Sequence, residues 1–101
     1  KRKIVWSRIA YLQRKNILIY WLERNKSNTY SKKLLQQTKE ATQLISEFPE
    51  LGKRTDINNV GCFVMENYSI FYVEKNLEIH IVTFWDNRQD PEMLQILLSI
   101  L

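Results

Sequence analysis

A chain of 101 residues with 45% hydrophobic side chains can bury one modest core, which excludes two domains. With 2 Gly, 2 Pro and 26% charged residues it is neither linker nor disordered tract, and the single Cys62 excludes an internal disulfide and reads as a small buried thiol. The net charge of +4 is unevenly spread: residues 1–35 carry 10 basic and 1 acidic side chain (+9), residues 36–101 carry 5 and 10 (−5). The basic field therefore belongs to the first third, where each cation reads first as a solvated helix face, and as a group they suit an anionic or acidic partner.

Lys1-Arg2-Lys3 leads into strand-like Ile4-Val5-Trp6 rather than a long apolar run, so no signal peptide or membrane span is expected and the cytoplasm is the default compartment. Ser7 stands where a helix N-cap belongs. The spacing predicts a helix from Arg8 to Asn25 with Ile9, Leu12, Ile17, Tyr20 and Trp21 inward and Arg8, Arg14, Lys15 and Arg24 mostly elsewhere. The short polar link Lys26-Ser27-Asn28 turns a second helix back antiparallel. That helix runs from Thr29 to Glu47 with Leu34, Thr38, Ala41, Ile45 and Phe48 on one stripe, and Pro49 ends it. Residues Glu50 to Asn58 read as a surface loop.

Asn59 to Pro91 predicts three short strands, Asn59 to Glu66, Tyr68 to Glu74 and Leu77 to Trp85, with turns at Glu66-Asn67 and Lys75-Asn76 where Asn tolerates positive φ. The apolar segment Glu92 to Leu101 is too short to cross a bilayer and reads as a terminal helix folded onto the body, the alternative being a patch awaiting a partner. There are no internal repeats and no heptads sustained enough for a coiled coil. The order β-α-α-β-β-β predicts one α+β domain over 1–101: a helical hairpin packed on a mostly antiparallel four-stranded sheet.

Five stretches in succession resemble one known family: Ile4-Val5-Trp6-Ser7, Tyr20-Trp21, Phe48-Pro49-Glu50-Leu51-Gly52, Asn67-Tyr68-Ser69-Ile70-Phe71-Tyr72, and Ile79 to Pro91 ending in Trp85-Asp86-Asn87-Arg88-Gln89-Asp90-Pro91. In this order they resemble the RelE/ParE superfamily, the toxins of bacterial type II toxin–antitoxin systems. The resemblance implies a growth inhibitor neutralised by a cognate antitoxin in a hetero-oligomer, with no cofactor, no metal and no membrane partner. Its target would be DNA gyrase, bound and poisoned by ParE-like members, or mRNA on the ribosome, cut by RelE-like members. RelE-like cleavage uses lysines on the first meander strand, an arginine on the second, an arginine after the third and a tyrosine in the tail. Here the first strand offers Gly61, Cys62, Phe63, Val64 and Met65, the second has Ser69, and no tyrosine follows Glu92. Arg88 alone matches, so the nuclease mechanism does not carry over residue by residue. A decayed toxin that retains antitoxin binding is the alternative.

Arg88 leads the candidate residues. It follows a strand end among Asp86, Asn87, Gln89 and Asp90, a density of hydrogen-bonding groups that suits recognition, or equally a turn pinned by Asp86 or Asp90. His80 alternates with Ile79 and Ile81 and shares a face with Val82 and Phe84; near Arg88 it would complete a base-plus-cation pair, though packing is its commoner role. Lys53 and Arg54 can touch phosphates or an acidic target surface; Asp86, Asn87 and Gln89 at the tip are further target- or nucleic-acid-binding candidates, and Trp85 can stack on a base or anchor a protein partner. Tyr68 and Tyr72 read as core, with stacking on bases the alternative. Phe63, Phe71, Phe84, Leu97, Leu98 and Leu101 are candidates for antitoxin contact. Gly61 weakens a strand interior, implying a bulge or a lost cationic side chain. The acidic balance of the meander disfavours RNA across it and favours a protein target, or helices that meet an acidic antitoxin.

Overall fold

The computed structural model describes residues 1–57 and 59–100. Its elements run β1 (Lys3–Trp6), α1 (Arg8–Asn25), α2 (Thr29–Glu47), a 3-10 turn (Pro49–Leu51), β2 (Lys53–Arg54), β3 (Gly61–Met65), β4 (Tyr68–Lys75), β5 (Glu78–Asp86) and α3 (Pro91–Ser99). The sheet order is β1-β5-β4-β3-β2, with β1 parallel to β5 and every other pair antiparallel. The predicted α+β architecture is present, with one strand more than the four expected.

That fifth strand lies in the predicted loop. The Tyr72 hydroxyl donates to the Pro49 carbonyl (2.6 Å) and accepts the Gly52 N–H (2.9 Å). This clamp sends the chain out of Gly52 extended, so that Lys53 and Arg54 pair with Cys62 and Gly61. Two residues are too few for an alternation to reveal. The first turn falls at Glu66-Asn67 as predicted, with Glu66 rather than Asn67 left-handed; the second lies one residue later than predicted, where Asn76 and Leu77 are left-handed together, as a two-residue hairpin with two positive φ values requires. Leu77 therefore sits in the turn, exposed, and β5 begins at Glu78.

Both long helices keep their predicted bounds. The Ser7 hydroxyl caps α1 by accepting the Ala10 N–H at 3.0 Å, and Lys26, at φ 49, closes it. The packed stripe of α1 keeps Ile17 and Trp21 as predicted and adds Ala10 and Leu18, whereas Ile9, Leu12 and Tyr20 face outward. Apolar side chains occur all round this helix, so spacing alone did not select the side that packs, whereas the small Ala10 lets α1 approach β5. On α2, Leu34, Thr38, Ala41 and Ile45 are buried as predicted. Phe48 is exposed because its backbone (φ −131, ψ 77) has already left the helix.

The helical hairpin covers the main core, which includes Tyr68, Ile70, Tyr72, Ile79, Ile81 and Phe84. On the other face α3 folds back, as predicted, over a smaller core of Val60, Phe71, Trp85 and Leu98. Asp90 caps α3 by accepting the Glu92 N–H (2.9 Å), and Pro91 fits its first turn, where a missing N–H costs nothing. Among the described residues no helix is long and apolar enough to cross a membrane.

Candidate functional site

The site depends on a defect in β5. Phe71 pairs with Thr83 and Tyr72 with Ile81, leaving Val82 as an extra residue, a β-bulge. Before it Ile79 and Ile81 face the main core; after it the alternation is shifted, so Phe84 also reaches that core and Trp85 enters the second one. Gln13 of α1 holds the irregular backbone: its Oε1 accepts the Thr83 hydroxyl (2.8 Å) and the Phe84 N–H (2.9 Å). Beyond the bulge, Asp86 and Arg88 come out on the hairpin side.

There Arg88 closes on Asp86. Its backbone N–H and Nε donate to Oδ1, both at 2.9 Å, and Nη2 donates to Oδ2 at 2.8 Å. Nη2 also reaches the Tyr68 hydroxyl at 3.4 Å, which accepts the Trp21 indole N–H at 2.7 Å. The guanidinium lies 5.8 Å from the Trp21 ring centroid and 5.9 Å from that of Tyr68, within cation–π range. Pinning of the turn by Asp86, the alternative role raised for Arg88, is therefore observed. The hydrogen bonds from Arg88 hold the Asp86 carboxyl below the usual carboxylate range, and the same pairing pushes the Arg88 guanidinium up. Burial raises Tyr30, whose ring meets Trp21 edge-on at 5.0 Å.

Asn87 anchors the turn from its other side. Its N–H donates to the Asn67 carbonyl (2.8 Å), and its Oδ1 accepts the Ser69 hydroxyl (2.7 Å). Ser69, at the position where RelE-like nucleases have arginine, thus serves the turn. Between the tip and α1 opens a cleft of about 400 Å³ lined by Asn16, Tyr20, Trp21, Tyr68, Arg88 and Gln89. It presents a fixed guanidinium, aromatic surfaces and two amides, groups whose chemistry suits recognition. A carboxylate held ionised by three donors is a poor general base, and a guanidinium does not release a proton near neutrality.

The remaining candidates lie elsewhere. His80 does not share a face with Phe84, because the bulge intervenes, and it does not meet Arg88. It sits near the other end of β5, Nε2 3.1 Å from Glu78 Oε1, beside an apolar groove of about 500 Å³ under α3. Lys53 and Arg54 stand at the far edge of the sheet, Arg54 beside a cleft with Glu50 and Glu74. Trp85, Phe71, Phe84 and Leu98 are buried, which removes their side chains from the surface; Phe63 and Leu97 are half-buried against the two cores. Leu101 lies outside the described residues. Tyr68 and Tyr72 are core, as expected. Cys62 is half-buried, and burial raises its thiol. Gly61 lies at no bulge: a Cβ there would stand 2.9 Å from a Tyr72 ring carbon. Asn16, Tyr20 and Trp21 were not singled out as site residues, although Tyr20-Trp21 carried part of the resemblance.

No family model matches the sequence, and no curated protein matches it. The fold does have a counterpart. A chain of the chromosomal ParDE TA system from P. aeruginosa matches with a TM-score of 0.73 at 17% sequence identity, covering 84% of this chain and 95% of that one. The chain therefore shares the fold of that chain.

Proposed function

We propose that this chain is the toxin of a type II toxin–antitoxin pair, neutralised by a cognate antitoxin, and that it inhibits growth by binding its target rather than by cutting RNA. Of the two targets the resemblance implies, DNA gyrase is the one that is bound rather than cut. The likeness to the ParDE chain supports the toxin–antitoxin role. The choice of binding over cleavage rests on Arg88: among the described residues it is the one cation that lines its cleft, with Arg24 reaching only the Tyr20 hydroxyl (3.4 Å), and His80 lies on the opposite face of the sheet. RNA cleavage through the 2′-hydroxyl asks for a base, an acid for the leaving oxygen and cations around the phosphorane. A guanidinium fixed by Asp86, with aromatic rings beside it, suits an anchor in a protein interface.

Induced expression in a bacterium, with mRNA integrity and DNA supercoiling followed separately, tests this. A DNA-damage response with intact mRNA is expected, weakened by Arg88→Ala. Rapid loss of mRNA with normal supercoiling would overturn it. Absence of any growth effect, with retained capture of the antitoxin encoded beside it, would identify a decayed toxin.

A further inference from the structure

Helix α3 buries one end of the sheet face turned away from the hairpin, where Val60, Phe71, Trp85 and Leu98 form the second core. Toward the β4–β5 turn the same face continues through half-buried Val73 and Val82 to His80 and the exposed Lys75, and these four line the groove of about 500 Å³. Strand pairing fixes what stands at its open end. Lys3 and Lys75 both pair in register with Glu78, and Val5 and Val73 both pair with His80. Residues paired in register point to the same side of a sheet, and Ile4 and Trp6, which pack against the main core, put Lys3 and Val5 on this side. The groove therefore has an apolar interior and a charged end with two lysines to one glutamate. Neither lysine joins an ion pair among the described residues, while Glu78 is engaged by His80 at 3.1 Å.

We infer that this groove holds one single-chain fatty acid, its hydrocarbon tail running toward α3 and its carboxylate at Lys75. From Lys75 to Phe71 is four residues, about 13 Å of extended strand, the span of a chain of about ten to twelve carbons. The volume agrees, since about 500 Å³ is the scale of a small-molecule site, whereas even a two-turn helix, about 10 Å across and about 11 Å long, exceeds it. An extended peptide fits poorly for another reason. Strands β4 and β5 are paired on both sides, and Ile57, Val73, Val82 and Leu98 offer no partners for its N–H and C=O groups; methylenes need none. The sign of the head group follows from the lysines, which attract a carboxylate and repel a cation. A second copy of this chain is the poorer occupant, because it would bring another Lys3 and Lys75 to the same place. The Arg88 cleft lies on the other face of the sheet, so the inference does not rest on the proposed function.

The test uses the full chain with dodecanoate, dodecyltrimethylammonium and hexanoate, each titrated calorimetrically below its micelle concentration. Dodecanoate is expected to bind one-to-one in the micromolar range, about ten-fold or more tighter than the ammonium of equal chain length. Hexanoate, with half the chain, should bind about 100-fold or more weakly still than dodecanoate. In amide spectra dodecanoate should shift Val73 and Val82 and leave Arg88 in place. Val73→Glu, which puts a charge in the path of the tail, should abolish dodecanoate binding, and Lys75→Glu should narrow the preference for carboxylate over ammonium. An unchanged thermal unfolding curve verifies that the variants fold, and Lys75→Glu, at an exposed position, carries the test if Val73→Glu lowers the curve. The inference is overturned if dodecanoate does not bind, if many molecules bind per chain, if it binds no tighter than the ammonium, or if both variants bind as wild type does. It is also overturned if vesicles of anionic phospholipid capture the chain and monomeric dodecanoate does not, since a membrane surface is then the ligand. A dimer of the chain alone that Val73→Glu dissolves would overturn it too, because a second copy then covers the groove.

Discussion

Arg88 and Asp86 act as a unit in which each fixes the other. Because three donors from Arg88 stabilise the charged carboxylate, the folded-state pKa of Asp86 lies below its unfolded value. Such a group adds stability above the unfolded pKa and loses it as pH falls through the folded one, so the loss belongs below about pH 4. Urea unfolding of wild type is expected to weaken more steeply from pH 5 to pH 3 than that of Asp86→Asn, and parallel acid limbs would contradict this. Gly61 raises a steric question at the same scale. The Tyr72 ring above it is held at its hydroxyl by Pro49 and Gly52, so it cannot swing clear of an added methyl. Gly61→Ala should cost about 1–3 kcal/mol in denaturant unfolding, and less in a Tyr72→Leu background, where the space is open.

At the scale of elements, the bulge in β5 decides which side chains face which core. With Val82 extruded, Phe84 joins Tyr68 and Trp6 while Trp85 crosses to the α3 side. Gln13 stabilises that arrangement from a different helix. Gln13→Ala removes two hydrogen bonds and leaves the Phe84 N–H without its acceptor, a loss of about 1–3 kcal/mol. The amide of Phe84 should then exchange faster with solvent than that of Ile79, and equal protection of the two would refute the role. Much of the fold was legible in the chain itself. Ser7, Lys26-Ser27-Asn28 and Pro49 punctuate the two long helices, and β-branched and aromatic runs mark β4 and β5. The missed features all depend on contacts distant in sequence. Strand β2 exists through the Tyr72 clamp twenty residues ahead of Gly52, and the inward side of α1 was chosen by Ala10 against β5. The parity of Phe84 depends on Gln13, seventy-one residues away. Arg88 was legible because it stands beside its own partner, Asp86; the cleft wall from Asn16 to Trp21 was not, because α1 supplies it from the other end of the chain.

The whole molecule is electrically lopsided. The first third, which forms β1, α1 and the start of α2, carries +9, and the remainder −5. Among the described residues two ion pairs tie the first third to the rest, Lys1 with Glu47 at the end of α2 and Arg2 with Glu74, and both take their cation from the segment before β1 rather than from the hairpin. Arg8, Lys15, Arg24, Lys26, Lys32 and Lys33 are in none of the ion pairs described. Like charges gathered on one layer repel and oppose compaction, whereas exposed ion pairs return little. Screening should therefore help more than it harms. Raising sodium chloride from about 0.02 to about 0.3 M, which shortens the Debye length several-fold, is expected to raise the melting temperature. A relief of about 1 kcal/mol corresponds to about 4–8 °C at this size. Lys15→Glu, which leaves the packed side of α1 untouched, should raise stability at low salt and flatten the salt response. A melting temperature that falls with salt in the wild-type chain would mean that its ion pairs outweigh the repulsion within the hairpin.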